Sequence, residues 1–147
     1  MNLEAEYDLD FYAWINKNVK LLRCGCLSEI DAEHIAQELE SMGKRDRRQL
    51  RCRLQVLIMH LLKWQYQPDK QSKSWLATID HQREEIQALL LDSPSLRRDL
   101  ETALVTVYAK AVRDAQEETS LPETAFPLSC PFALEEILAV RFLPEAL

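Results

Sequence analysis

The stretch Gln49–Pro68, QLRCRLQVLIMHLLKWQYQP, decides the fold. Within it Leu50, Leu54, Leu57, Leu61 and Trp64 recur at steps of four and three, the spacing that keeps side chains on one face of an α-helix. Ile58 and Leu62 widen that face, and Val56 and Met59 project elsewhere, so the second half is apolar around much of its circumference. A helix of this kind is wrapped by other helices rather than laid on a surface. The run is too short, and too interrupted by His60 and Lys63, to span a bilayer. It is read as the central helix of a bundle.

The rest of the chain agrees with that reading. At 147 residues it suits one domain with one core, with no need of metal or disulfide staples. Two glycines, almost no Val-Ile-Thr alternation and no Asn-Gly or Asp-Gly turn argue against a sheet, whereas helix formers fill the sequence. The fold class is all-α, a single-domain bundle of five main helices plus a short C-terminal one. A net charge of −6 argues against general polyanion binding. The opening MNLEAEYDLDF lacks the basic and apolar regions of a secretion signal, so a cytoplasmic setting is expected, with no membrane association and with the cysteines as thiols.

Start and stop signals divide the chain. Asp8 or Asp10 caps a first helix to about Cys24, with Phe11, Ile15, Val19 and Leu22 inward, Asn18 inside that stripe and Gly25 as a left-handed stop. Ser28-Glu29-Ile30-Asp31 approximates a capping box for a second helix carrying Ala32, Ile35, Leu39 and Met42, which Gly43 closes or kinks. After the central helix, Ser72 or Ser74 caps a fourth with the stripe Trp75, Ile79, Gln82, Ile86 and Leu89. Ser93 and Pro94 open a fifth, with Leu96, Leu100, Leu104, Val107 and Ala111 inward, which fades near Glu118. Thr119 to Cys130, with Pro122 and Pro127, is extended and pinned by Phe126, and Pro131 opens a last helix from Phe132 to Val140.

The sharpest charge feature is Lys44, Arg45, Arg47, Arg48, Arg51 and Arg53, relieved only by Asp46. At a helix N-terminus these cations need counter-charges, which Glu29, Asp31, Glu33, Glu38 and Glu40 of the preceding helix supply; if Gly43 is only a kink, they sit mid-helix and that need lapses.

Several motifs in order carry a family resemblance: DFYAW (Asp10 to Trp14), ELESMG (Glu38 to Gly43), HLLKWQYQP (His60 to Pro68), SKSWLATIDHQREEI (Ser72 to Ile86), DSPSLR (Asp92 to Arg97) and FPLSCPFALEEIL (Phe126 to Leu138). Over nearly its whole length the chain resembles the domain-of-unknown-function 29 family, small and mostly cyanobacterial and other bacterial proteins. The resemblance implies an all-helical fold and brings no activity, cofactor or catalytic residue. Cys24-Gly25-Cys26 lies outside these motifs.

The informative polar residues are those on or beside apolar stripes. Asn18 and Gln82 point into their stripes, and Glu38, His60 and Arg83 sit at stripe borders. Buried amides and charges need partners, so these five are expected to share a network that fixes helix register, with Gln82 as its buried anchor. A functional version places His60 and Glu38 together in an acid-base pocket. No metal site is expected: His34, His60 and His81 lie on different helices, the cysteines lack paired CxxC spacing, and His34 with Glu38 serves equally well as an exposed i, i+4 pair. Cys52, among arginines, lacks any partner base. No phosphate-cradling glycine loop or nucleophile elbow is present, and no cofactor is expected.

The function read from this is a non-enzymatic protein-interaction module with an unidentified protein partner. The alternative is a nucleic-acid-associated accessory protein, using Lys44, Arg45, Arg47, Arg48 and Arg51 on phosphates, helped by Lys63, Lys70 and Lys73, with Trp64 or Tyr66 on bases. An enzyme built on His60 and Glu38 comes third.

Overall fold

The structure is a computed structural model and describes residues 2–147. The described residues form α-helices, two short 3-10 turns and connecting segments, with no strand. The helices are α1 (Leu3–Leu9), α2 (Phe11–Cys24), α3 (Ala32–Tyr66), α4 (Lys73–Asp92), α5 (Leu96–Thr119) and α6 (Leu134–Leu138). The chain is all-α, as its composition requires. Its contacts cluster into two compact units, one ending at Arg45 and the other running from Asp46 to Leu147.

The first unit opens on α1, a helix not anticipated from sequence, capped by Asn2, whose side chain accepts from the Ala5 N–H at 2.7 Å. Of the two candidate caps for the next helix, Asp10 takes the role: it accepts from the Ala13 N–H, and its φ of −150° turns the chain between α1 and α2. Gly25 ends α2 with φ 77°, a conformation only glycine adopts without strain. Lys17 ties α2 to the buried Glu6 of α1 at 2.8 Å. The expected inward stripe is rotated by one position. Trp14 and Asn18 are buried, while Phe11 and Leu22 are exposed, because the indole and the amide are drawn inward by hydrogen bonds described below.

The second and central helices expected from sequence are one 35-residue helix, α3, which runs through Gly43 without a break. Its cap is Asp31, three residues later than the Ser28 expected, with Oδ1 accepting from the His34 N–H at 3.4 Å. A lone glycine lowers helix propensity by about 1 kcal/mol relative to Ala, too little to stop a helix that its neighbours continue. Gly25 stops α2 because the chain turns left-handed there; Gly43 has no positive φ.

In the second unit the central stripe is buried as read: Leu50, Leu54, Leu57, Ile58, Leu61 and Leu62 have no exposed surface, and Trp64 at its end is half-buried. Ser72 caps α4, accepting from the Trp75 N–H. The buried face of α4 is Ile79, Arg83, Ile86 and Leu90, one position on from the predicted stripe at two of its places. Helix α5 begins at Leu96 instead of Pro94, because Ser93 and Pro94 form a turn whose carbonyls accept from the N–H groups of Leu96 and Arg97. Leu100, Val107 and Ala111 face the core, and the helix ends at Thr119. The extended segment that follows is pinned by buried Phe126 and by the Tyr108 hydroxyl, which donates to the Pro127 carbonyl at 2.6 Å. Helix α6 is shorter than expected, starting at Leu134, where the Glu136 carboxylate accepts from the Ala133 N–H. No helix among the described residues is long and apolar enough to cross a membrane.

Candidate functional site

The five residues expected to share one polar network each find partners outside that set. Asn18 and Glu38 belong to the first unit, and His60, Gln82 and Arg83 to the second. The Tyr7 hydroxyl donates to Glu38 Oε1. His60 uses Nδ1 to donate to the Val56 carbonyl one turn back at 2.8 Å, and burial holds its pKa below the ordinary imidazole value. Gln82 is half-buried, not an anchor; its Oε1 accepts from Arg53 at 3.1 Å. Periodicity gives the apolar face to within about one position, and the structure buries Arg83 where Gln82 was expected; hydrogen-bond partners are set by tertiary neighbours that spacing does not reveal.

The densest polar arrangement in the first unit is built around Asp31, which the sequence reading treated only as part of a capping signal. Its Oδ2 accepts from the Trp14 indole N–H at 2.9 Å and from His34 Nδ1 at 2.7 Å. Its own N–H donates to Asn18 Oδ1 at 2.9 Å, and the Asn18 amide donates onward to the Trp14 carbonyl at 2.9 Å. The Tyr7 ring stacks on the His34 ring with centroids 4.0 Å apart and meets Trp14 edge-on at 4.9 Å. Burial pushes the Asp31 carboxyl upward, but the hydrogen bonds from His34 and Trp14 outweigh it and hold the pKa below its ordinary value. The Tyr7 hydroxyl is raised, chiefly by its bond to Glu38. The arrangement holds the start of α3 against α1 and α2. The sequence signal for this centre was an Asp directly before an apolar helical stripe; nothing local signalled Trp14 as its partner.

In the second unit the buried polar centre is Arg83, 3% exposed. Its Nε and Nη2 donate to the Ile137 and Phe142 carbonyls at 2.8 Å each, and Nη1 donates to the Val140 carbonyl at 3.4 Å. One turn on, Gln87 donates to the Leu138 carbonyl. The carbonyls at the end of α6 have no intrahelical partners, and a cation there meets the negative end of the helix dipole, so Arg83 and Gln87 cap α6 and strap the C-terminal segment to α4. Desolvation lowers the guanidinium pKa, and Asp80 opposes it. Arg83 also borders an open groove of about 690 Å³ with Leu76, Asp80, Glu84, Val140 and Leu143 on its walls.

The basic run does not sit at a helix N-terminus, since α3 starts twelve residues before Lys44. Its counter-charges also differ from those expected. Arg51 holds Asp99 of α5 through two hydrogen bonds, at 2.7 and 3.1 Å, and Arg53 approaches Glu85 of α4 at 3.7 Å. Lys44, Arg45, Arg47 and Arg48 are exposed and make no ion pair among the described residues. Of the supporting groups, Lys63 is buried, paired with Glu118 at 2.8 Å and lying 4.5 Å from the Trp75 ring centroid; Tyr66 packs on Phe126. His34 hydrogen-bonds to Asp31 and Glu38 to Tyr7, whose ring also stacks on His34. Among the described residues no group of three or more His, Cys, Asp or Glu side chains is arranged to hold a metal ion.

The cysteines correct one expectation. Cys24 and Cys26 are joined by a disulfide, closed by the tight turn at Gly25, while Cys52 and Cys130 are free.

The described residues form an all-helical domain whose buried polar centres are Asp31 and Arg83. The sequence profile of the domain of unknown function DUF29 matches residues 6–143, and the chain belongs to that family. No curated protein and no solved structure matches it.

Proposed function

We propose that this protein is a non-enzymatic interaction module that binds another protein through its first unit. The observation that carries this is the imbalance of apolar surface there. Trp14 is the one buried apolar side chain of the core among residues 2–45, whereas Leu9, Tyr12, Leu27, Leu39 and Met42 are more than half exposed. On α3, Ile35, Leu39 and Met42 follow a four-three spacing, the pattern by which one helix seats another. Acidic side chains outnumber basic ones in this stretch, with Glu33 and Glu40 exposed on the same helix, so the favoured occupant is an amphipathic helix with a basic flank. A bacterial cytoplasmic setting is part of the same proposal; the free thiols Cys52 and Cys130 fit it, and the Cys24–Cys26 disulfide runs against it unless that bond is readily reduced.

A photo-crosslinker at Leu39, used in the native host, identifies the partner, which is then purified and titrated. Leu39→Ser with Met42→Ser is expected to weaken that binding at least about tenfold while leaving helicity intact. Unchanged affinity would refute the reading. A second reading, nucleic-acid association, is supported by the exposure of Arg47 and Arg48 on α3. Salt-sensitive oligonucleotide binding that Arg47→Gln with Arg48→Gln removes would favour it.

A further inference from the structure

The bond between Cys24 and Cys26 encloses a single residue, Gly25. A crosslink stabilises a fold mainly by restricting the unfolded chain, and that restriction shrinks with the loop it closes. A loop of this size gives the bond little value as a staple. The backbone around it is also fixed by other means. The Gly25 N–H donates to the Leu22 carbonyl at 3.1 Å and the Cys26 N–H to the Leu21 carbonyl at 2.9 Å, the paired bonds of a glycine helix cap. These bonds need no sulfur. They hold the two Cα atoms 5.5 Å apart, inside the range of roughly 4.4 to 6.8 Å that disulfides span. The cap therefore keeps the two Cα atoms within disulfide range without help from the sulfur bond.

Access differs between the two. Cys24 is exposed and Cys26 half-buried, and Lys20 and Arg23, both exposed, lie one turn and one residue before Cys24. Their charge offsets the negative end of α2, which otherwise disfavours a thiolate there.

We propose that Cys24 and Cys26 form a reversible thiol–disulfide exchange site whose co-reactants are small thiols and their disulfides. This inference is independent of the interaction reading above. In the reducing direction a small thiolate attacks Cys24 Sγ. A bond forms between those sulfurs, the Cys24–Cys26 bond breaks, and Cys26 leaves as a thiolate that takes a proton from water. A second small thiolate attacks the small-molecule sulfur of the mixed disulfide, releasing Cys24 and a small-molecule disulfide. The protein pair gains two electrons and two protons, and two small thiols become one disulfide. In the oxidising direction Cys24 attacks the small disulfide and Cys26 resolves the adduct, quickly because the cap keeps it adjacent.

The test uses the full chain with Cys52→Ser and Cys130→Ser, equilibrated in mixtures of reduced and oxidised glutathione, acid-quenched and weighed by mass spectrometry. The expected result is a reversible two-hydrogen mass change that follows the mixture, with far-UV circular dichroism unchanged. In that background Cys26→Ser should accumulate a glutathione adduct on Cys24, and Cys24→Ser should react at Cys26 about tenfold more slowly. The proposal is overturned if the pair stays reduced in excess oxidised glutathione, if the bond survives excess thiol under native conditions, if opening it costs helicity, or if the single-cysteine variants react at equal rates.

Discussion

Trp14 and Asp31, seventeen positions apart, are joined by an indole N–H donated to a buried carboxylate at 2.9 Å, and the same oxygen receives His34 Nδ1 at 2.7 Å. The carboxylate also caps α3, so one charged group orders the junction of two helices with the third stacked over it through Tyr7. Because the folded state holds the Asp31 pKa below its ordinary value, the stabilisation is full above the unfolded carboxylate pKa and is lost as pH falls through the folded one. Asp31→Asn should therefore cost about 1 to 3 kcal/mol at neutral pH, since hydrogen bonds to a charged acceptor are weakened. Urea denaturation of both proteins should show the gap narrowing below the ordinary carboxylate range. A gap that is constant with pH would show that the charge contributes nothing.

Leu57 and Leu61 have no exposed surface, and truncating either leaves a cavity in the second unit. Leu57→Ala or Leu61→Ala should cost about 2 to 5 kcal/mol in chemical denaturation. A loss below about 1 kcal/mol would place them outside the core.

Gln82 and Arg83 are neighbours with different consequences. Gln82 is half-buried with one bond to Arg53, so Gln82→Leu should change stability by less than about 1 kcal/mol. Arg83→Leu strands the Ile137 and Phe142 carbonyls and should cost about 2 kcal/mol or more. Hydrogen exchange should quicken for residues 137–143 before the rest of the second unit. Equal effects from the two substitutions would remove the strap from Arg83.

What the sequence disclosed follows from the range of each signal. The stripe Leu50 to Leu61 was legible because burial repeats with the helical period, and Gly25 was legible because a turn is a local event, whereas the cap was narrowed only to Asp8 or Asp10. The choice between Gln82 and Arg83 was not, because both flank the same apolar face and the carbonyls that recruit Arg83 come from more than fifty residues away. The centre on Asp31 was legible only as a helix start nearby, with the cap placed three residues early at Ser28, because Trp14 and Asn18 reach Asp31 only once α2 is folded beside it. The ion pairs of Arg51 and Arg53 escaped notice for the same reason, since Asp99 and Glu85 lie on later helices.

Gly43 supplies the most direct check on α3. Glycine marks a helix end when its φ is positive; at Gly43 the chain stays helical, and a Cβ added there would meet nothing within 4 Å. Alanine then fits without a clash. It also restricts the unfolded chain, which glycine leaves freer than any other residue. Gly43→Ala should accordingly raise stability by about 0.4 to 1 kcal/mol, the gain measured for this change at compatible helical sites. Calorimetry gives the sign, and far-UV circular dichroism should show no loss of helix. A destabilised variant would mean that the chain turns left-handed at Gly43, and that α3 is two helices with the basic run at the start of the second.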